Sequence, residues 1–307
     1  MAPERAGYVL AIDFGGTKIA VGSARLEGEL ILSDRIETQA QQGPRQAIER
    51  ALAAAQRVRE RTPGDCLGVG AVSPGIIAET GVQLTPNLPG WDRLPLPAVL
   101  RDGLGVSSIA VANDVNAAAL AETRWGALAG SEIGVFVTLS TGVRAGLVIG
   151  GQVFEGAHGA AGEIGYSVRD PADRAGFAAG HAPLEEFVGG RALGERAGAL
   201  LGQSLTAAEV FSHPDLPGGF LDEWLAELTM HVANLAIALD PERIAVGGGL
   251  MAHADRILPG LRERVEAVVP FTPEVVPARF LHDGALRGAA ALALDALAGA
   301  PVPEVAR

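Results

Sequence analysis

The chain has 307 residues, 48% of them hydrophobic, one cysteine and a formal net charge of −12. That length fits two α/β domains or one large one, and the apolar content excludes a low-complexity disordered chain. The acidic balance disfavours nucleic acid as a partner, and the lone Cys66 excludes an intrachain disulfide framework and points to a reducing, cytoplasmic setting.

Residues 8–14 (YVLAIDF) read as a buried strand broken by a glycine turn. IAVGSAR follows as a second strand, a turn over 26–29 leads to a third, and the three form an antiparallel meander. Residues 44–61 carry a helical pattern that Pro63-Gly64 stops. CLGVGAV and SSIAVA (107–112) read as further buried strands, and VNAAALAETRWGA as a helix. At Ile133 the opening pattern restarts: IGVFVTLS is a strand, TGVR a turn, AGLVIG a strand, and GGQVFEG a turn into a short third strand. This echo predicts a duplicated lobe. Helices are expected over 185–202 and 219–240, a strand at ERIAVGGGL, and a closing alanine-rich helix from residue 288. The stretch 167–183 reads as an irregular surface excursion. No apolar run reaches the roughly 18 residues of a membrane span, and MAPERAGYVL lacks a signal-peptide core.

Four places carry residues suited to chemistry. In Asp13-Phe14-Gly15-Gly16-Thr17-Lys18, glycines let a phosphate approach backbone N–H groups, and Thr17 adds a hydroxyl. Asp13 is placed to hold a hydrated Mg²⁺, and Lys18 is the only lysine of the chain; a tight hairpin that needs glycine for its shape is the competing account. Asn113-Asp114 lie where a strand ends and a helix begins, so Asp114 is a candidate base toward a substrate hydroxyl or a helix cap. The stretch Glu155–Tyr166 (EGAHGAAGEIGY) offers Glu163 as an acceptor for sugar hydroxyls, or is a loop with a solvated glutamate. Gly247-Gly248-Gly249 either passes beside a nucleotide or turns a strand into a helix.

Together, AIDFGGTKIAVG, GVGAVSPG, NLPGW, VANDVNAAALAE, GAHGAAGEIGY, AVGGGL and GAAALAL, in that order, resemble the ROK family of bacterial sugar kinases and repressors over nearly the whole chain. The resemblance implies an α/β protein of two RNase-H-like lobes with the hexokinase/actin-like fold. Expected are a small lobe from 1–116 plus 288–307, a large one over 117–287, and short hinges near 114–118 and 285–290. It implies that Asp114 deprotonates a sugar 6-hydroxyl and that Asn113, Glu163 and Glu185 bind sugar hydroxyls, with Gly75, Asn87 and Tyr166 lining the sugar pocket. It assigns Gly15, Gly16, Thr17, Thr141, Gly142, Gly248 and Gly249 to the nucleotide; Lys18 and Arg144 are expected with them, and Asp13 at Mg²⁺. A cytoplasmic homodimer using ATP and a hexose follows from the same resemblance.

Three departures stand out. The family's cysteine-rich zinc motif is missing and Tyr166 replaces its histidine, so no zinc is expected. The second phosphate turn reads Ser140-Thr141-Gly142-Val143-Arg144-Ala145-Gly146, with side chains where family kinases have glycines. Arg144 there either donates to phosphate or fills the nucleotide space. No helix-turn-helix precedes residue 8, which argues against the repressor branch. The expected function is an ATP-dependent hexose kinase; the alternative is a sugar-binding protein with little or no catalysis.

Overall fold

The computed structural model describes residues 7–78, 81–85, 88–171, 174 and 176–299. The chain divides into two compact units: Met1–Ala121 with Glu155–Ala160 and Asp283–Arg307, and Glu122–Phe154 with Ala161–His282.

In the first unit, β1 (Gly7–Phe14), β2 (Lys18–Arg25), β3 (Leu30–Glu37), β4 (Asp65–Ser73) and β7 (Ile109–Asn113) form one sheet in the order β3-β2-β1-β4-β7. The meander β1–β2–β3 is antiparallel, and β4 and β7 join parallel. A small hairpin, β5 (Ile76–Ala78) with β6 (Gly81–Gln83), lies between β4 and β7 in sequence. Because both faces of β1 are buried, it reads as a continuous apolar run rather than an alternation. Leu10, Ile12 and Phe14 pack on α1 (Pro44–Arg61) and α2 (Leu96–Leu104). Val9 and Ala11 face the opposite way, toward the alanines of α9 (Gly284–Ala298). The small residues on this second face allow the helix to lie close on the sheet.

The second unit repeats the plan. Strands β8 (Ile133–Leu139), β9 (Val143–Ile149), β10 (Gln152–Phe154), β11 (Arg243–Gly247) and β12 (Glu274–Pro277) run in the order β10-β9-β8-β11-β12, with the same alternation of antiparallel and parallel pairs. Its core is built by α4 (Glu185–Val188), α5 (Gly190–Leu201), α6 (Ala207–Val210), α7 (Phe220–Leu239) and α8 (Ala254–Val268), with Trp224 fully enclosed. Among the described residues no helix is long and apolar enough to cross a membrane.

Two local expectations change. The turn expected at 141–144 is shorter: β9 begins at Val143, and Arg144 pairs with Thr138 inside the ladder. The helix expected over 185–202 breaks at Gly189, whose ψ of 146° is extended. The break has a cause. Gly190 N–H donates to Ser140 O at 2.8 Å and Arg191 N–H to Thr141 O at 3.1 Å, so these amides serve a neighbouring turn instead of one continuous helix. Helices α2 and α8 and strand β12 were not anticipated from sequence.

α3 (Asp114–Trp125) carries the chain from the first unit into the second. Its Glu122 is fully buried. The carboxylate accepts N–H bonds from Ala127, Phe280 and Arg279 at 2.6, 2.7 and 3.1 Å.

Candidate active site

The first unit carries the first glycine turn at the β1–β2 connection. Gly15 N–H donates to Lys18 O at 3.0 Å, which closes the turn and uses that amide. Thr38 braces it from β3's end: its hydroxyl donates to Gly15 O at 2.6 Å and its N–H to Thr17 O at 2.8 Å. Arg50 of α1 in turn donates to Thr38 O. Thr17 and Lys18 are exposed at the tip, the Lys18 ammonium available to an anion. Sequence reasoning missed Thr38 and Arg50, which lie 12 residues apart and carry no motif.

Asp13 ends β1 and Asp114 begins α3. Burial pushes the Asp13 carboxyl up to about 7, and the charge of Asp114 adds to the rise while Arg35 opposes it. Two carboxylates that repel across a short gap form an arrangement a divalent cation relieves. Asn113 is the residue that caps α3. Its Oδ1 accepts the N–H groups of Val115 and Asn116 at 2.7 and 3.1 Å, and its Nδ2 donates to Gly75 O at 2.8 Å. With 4% exposure, Asn113 thus fixes Asp114 and the Gly75 backbone to one another. Asp114 Oδ1 also accepts the Val115 N–H, at 2.9 Å, so both side chains take part in the cap. Asn87, expected at the sugar pocket, lies outside the described residues.

In the second unit the Ser140–Gly142 turn is closed by Ser140 N–H donating to Gly142 O at 2.9 Å. Gly142 has no room for a side chain, since a Cβ there would run into the Glu185 carboxylate. Glu185 Oε2 accepts the Val143 N–H at 3.2 Å. Gly248 packs its Cα against the end of β8 with φ 92°, where a side chain would meet Leu139 O; Gly249 next to it has open space. Ala145 N–H donates to Gly162 O at 2.8 Å, which lays the Gly-rich loop along β9 and brings Glu163 beside Arg144. Their ion pair measures 3.1 Å. The structure thus brings Arg144 to Glu163 and not to the tip of the turn.

Tyr166 belongs to the same cluster. Its hydroxyl is pushed up by burial and by the charges of Glu163 and Glu185, with Arg144 opposing. Its ring meets Phe177 edge-on, with centroids 5.6 Å apart. Behind it, Phe187 is sandwiched: the Arg169 and Arg196 guanidinium carbons each stand 3.5 Å from its ring centroid, necessarily on opposite faces. Arg169 also donates to Glu227 of α7 at 2.7 Å, and Arg196 to Phe187 O at 3.1 Å. These bonds tie the start of the irregular 167–183 stretch to α4 and α7. Neither arginine was singled out from sequence; in an arginine-rich chain nothing marks them. No group of three or more metal-ligating side chains occurs among the described residues.

Comparison with known proteins decides the family. A ROK family match spans residues 9–296. The chain belongs to the ROK family. It is 31% identical to a glucokinase of Halalkalibacterium halodurans over 288 residues, covering 85% of this chain and 86% of that protein. It is 33% identical to an N-acetylmannosamine kinase of Citrobacter koseri, with 92% and 98% covered. Among solved structures, a ROK family glucokinase from Streptomyces griseus in complex with glucose and AMPPNP superimposes with a TM-score of 0.78 at 26% identity, covering 94% of this chain and 99% of that one. The ROK chain described here accordingly has the hexokinase/actin-like fold of such kinases, and the two sheets with matching strand order are its two lobes.

Proposed function

We propose that the protein is an ATP-dependent hexose kinase that phosphorylates a sugar 6-hydroxyl. The observation that carries this reading is that Asp13 at the end of β1 feels the charge of Asp114 at the start of α3, the helix Asn113 caps, in a chain whose relatives are glucokinases and N-acetylmannosamine kinases. Asp114 takes the proton of the 6-hydroxyl, the sugar oxygen attacks the γ-phosphorus of ATP, and ADP leaves with the bridging oxygen. Gly16, Thr17 and Lys18 of the first turn, with Thr141, Gly142, Gly248 and Gly249 of the second unit, hold the nucleotide by backbone approach and point charge. Asp13 would hold Mg²⁺ directly or through water, and the ion would supply charge neutralisation at the phosphates. Glu163, Glu185 and Tyr166 accept or donate to sugar hydroxyls, and Gly75 and Asn87 are further sugar-side residues in this reading.

Arg144 supports this reading. It lies on β9 and pairs with Glu163, a placement that supports a nucleotide role for Thr141 and Gly142 in the turn before it. The alternative, a sugar-binding protein without productive ATP binding, rests on the side chains that replace glycines in the turn over 140–146. A cytoplasmic homodimer without zinc completes the proposal. A thermal-shift screen of glucose, mannose, fructose, N-acetylglucosamine and N-acetylmannosamine, each with and without Mg·ATP, tests it, since a ligand of the folded state raises apparent stability. Phosphorylation of one of these sugars is expected; binding of a sugar with no nucleotide effect and no product would replace the kinase with the sugar-binding protein.

A further inference from the structure

We propose that Glu185 is a positioning residue that couples sugar occupancy to the phosphate turn, an inference that rests on the kinase reading above. The turn at 140–142 is held from one side by a single short segment. Gly190 and Arg191 donate to the carbonyls of Ser140 and Thr141, and Glu185 Oε2 accepts the N–H of Val143, the first residue after the turn. Gly142 lies so close to this carboxylate that a Cβ there would push it aside. The segment itself is firmly seated. Phe187 is gripped between two guanidinium groups, and Trp224 Nε1 donates to Val188 O at 3.0 Å.

A carboxylate offers about four acceptor sites, and Val143 uses one of them. Among the described residues no other hydrogen bond reaches the carboxylate, which leaves the remaining sites for sugar hydroxyls. A hydroxyl that donates to Glu185 fixes the torsion of the carboxylate, and the carboxylate fixes the Val143 N–H and the adjoining turn. Sugar therefore prepays ordering of the turn that nucleotide otherwise has to supply, and linkage requires the effect to run both ways. Glutamine at this position replaces one acceptor oxygen with an NH2 donor. With its carbonyl oxygen on the Val143 N–H, the other position can no longer accept a sugar hydroxyl's proton.

Calorimetry of Mg·AMPPNP, alone and with saturating glucose or N-acetylmannosamine, measures the coupling in wild type, Glu185→Gln and Glu163→Gln. Amide hydrogen exchange over residues 140–146 is followed in the same samples. Saturating sugar is expected to strengthen nucleotide binding in wild type by about 5-fold or more and to slow exchange in the turn. Glu163→Gln weakens sugar affinity but keeps both effects once saturated. Glu185→Gln loses both. Should that variant fail to fold, Gly142→Ala displaces the same carboxylate from the turn and carries the same expectation. Coupling and exchange in Glu185→Gln equal to wild type at saturation would overturn the proposal. Failure of all three proteins to bind either sugar or nucleotide is a different result, which removes the kinase reading and the coupling with it.

Discussion

Arg144 and Glu163 meet at 3.1 Å with side chains 9% and 19% exposed, a largely buried ion pair between strand β9 and the glycine-rich loop. The Arg144 Nε is buried without a hydrogen-bond partner among the described residues, so Glu163 is the feature that compensates its charge there. Removing the arginine leaves a carboxylate poorly solvated. Arg144→Ala is expected to lower folding stability by about 2–4 kcal/mol, near the range for breaking a buried pair. It should also raise the KM for sugar more than the KM for ATP. Denaturant titration and steady-state kinetics check both. A larger effect on ATP than on sugar would return Arg144 to the phosphate turn.

Asp114→Asn keeps the shape of the side chain and removes the base. Turnover should fall roughly 10²–10⁴-fold, while sugar affinity by calorimetry stays close to wild type. Near-normal turnover in this variant would remove Asp114 from proton transfer.

Asp13, raised to about 7, gives a pH-dependent signature. Its folded pKa lies above its unfolded one, so ionisation is harder in the native state. Its contribution is fully present below the ordinary carboxylate range and is lost as pH rises toward 7. Asp13→Asn should therefore be more stable than wild type at pH 8 and lose this advantage below pH 4. The ceiling is about 4 kcal/mol at roughly 1.4 kcal/mol per pH unit. Added Mg²⁺ should narrow the difference at pH 8 by favouring the ionised form. Thermal melts from pH 4 to 8, with and without Mg²⁺, would refute the assignment if the two proteins tracked each other.

Arg169 joins the 167–183 stretch to α4 and α7. Arg169→Ala is expected to cost about 1–3 kcal/mol, from a stacked cation and a charged hydrogen bond. Limited proteolysis within 167–183 should accelerate in the variant. Chelators should leave the Tm of the wild type unchanged, and metal analysis should find no stoichiometric zinc. One zinc per chain would contradict this picture.

The duplicated architecture was legible because both hairpins advertise themselves by glycine between apolar runs, and both sheets then follow in the same order. The position of Arg144 was not. Whether a residue three places after a turn's first residue belongs to turn or strand depends on hydrogen bonds from Gly190 and Arg191, distant in sequence. The continuous helix over 185–202 failed for the same reason, since helix propensity carries no record of a neighbouring turn's unsatisfied carbonyls. Asn113 and Asp114 were both visible as candidates. The cap geometry, in which Asn113 engages Val115, Asn116 and Gly75, was not legible, because Gly75 is distant in sequence.

Glu122 has a consequence for how such a chain can be rebuilt. It is the first residue of the second unit, and the Arg279 and Phe280 amides it accepts lie just before that unit's last residue, His282. Entrance and exit are fastened together by one side chain. Topologically the second unit is an insertion with a closed neck, and closing a long loop costs little more than closing a moderate one. Lengthening a surface loop between the two ends, or exchanging one for a relative's, leaves the neck intact. A substitution at Glu122 opens it and leaves three partly buried amides without this acceptor.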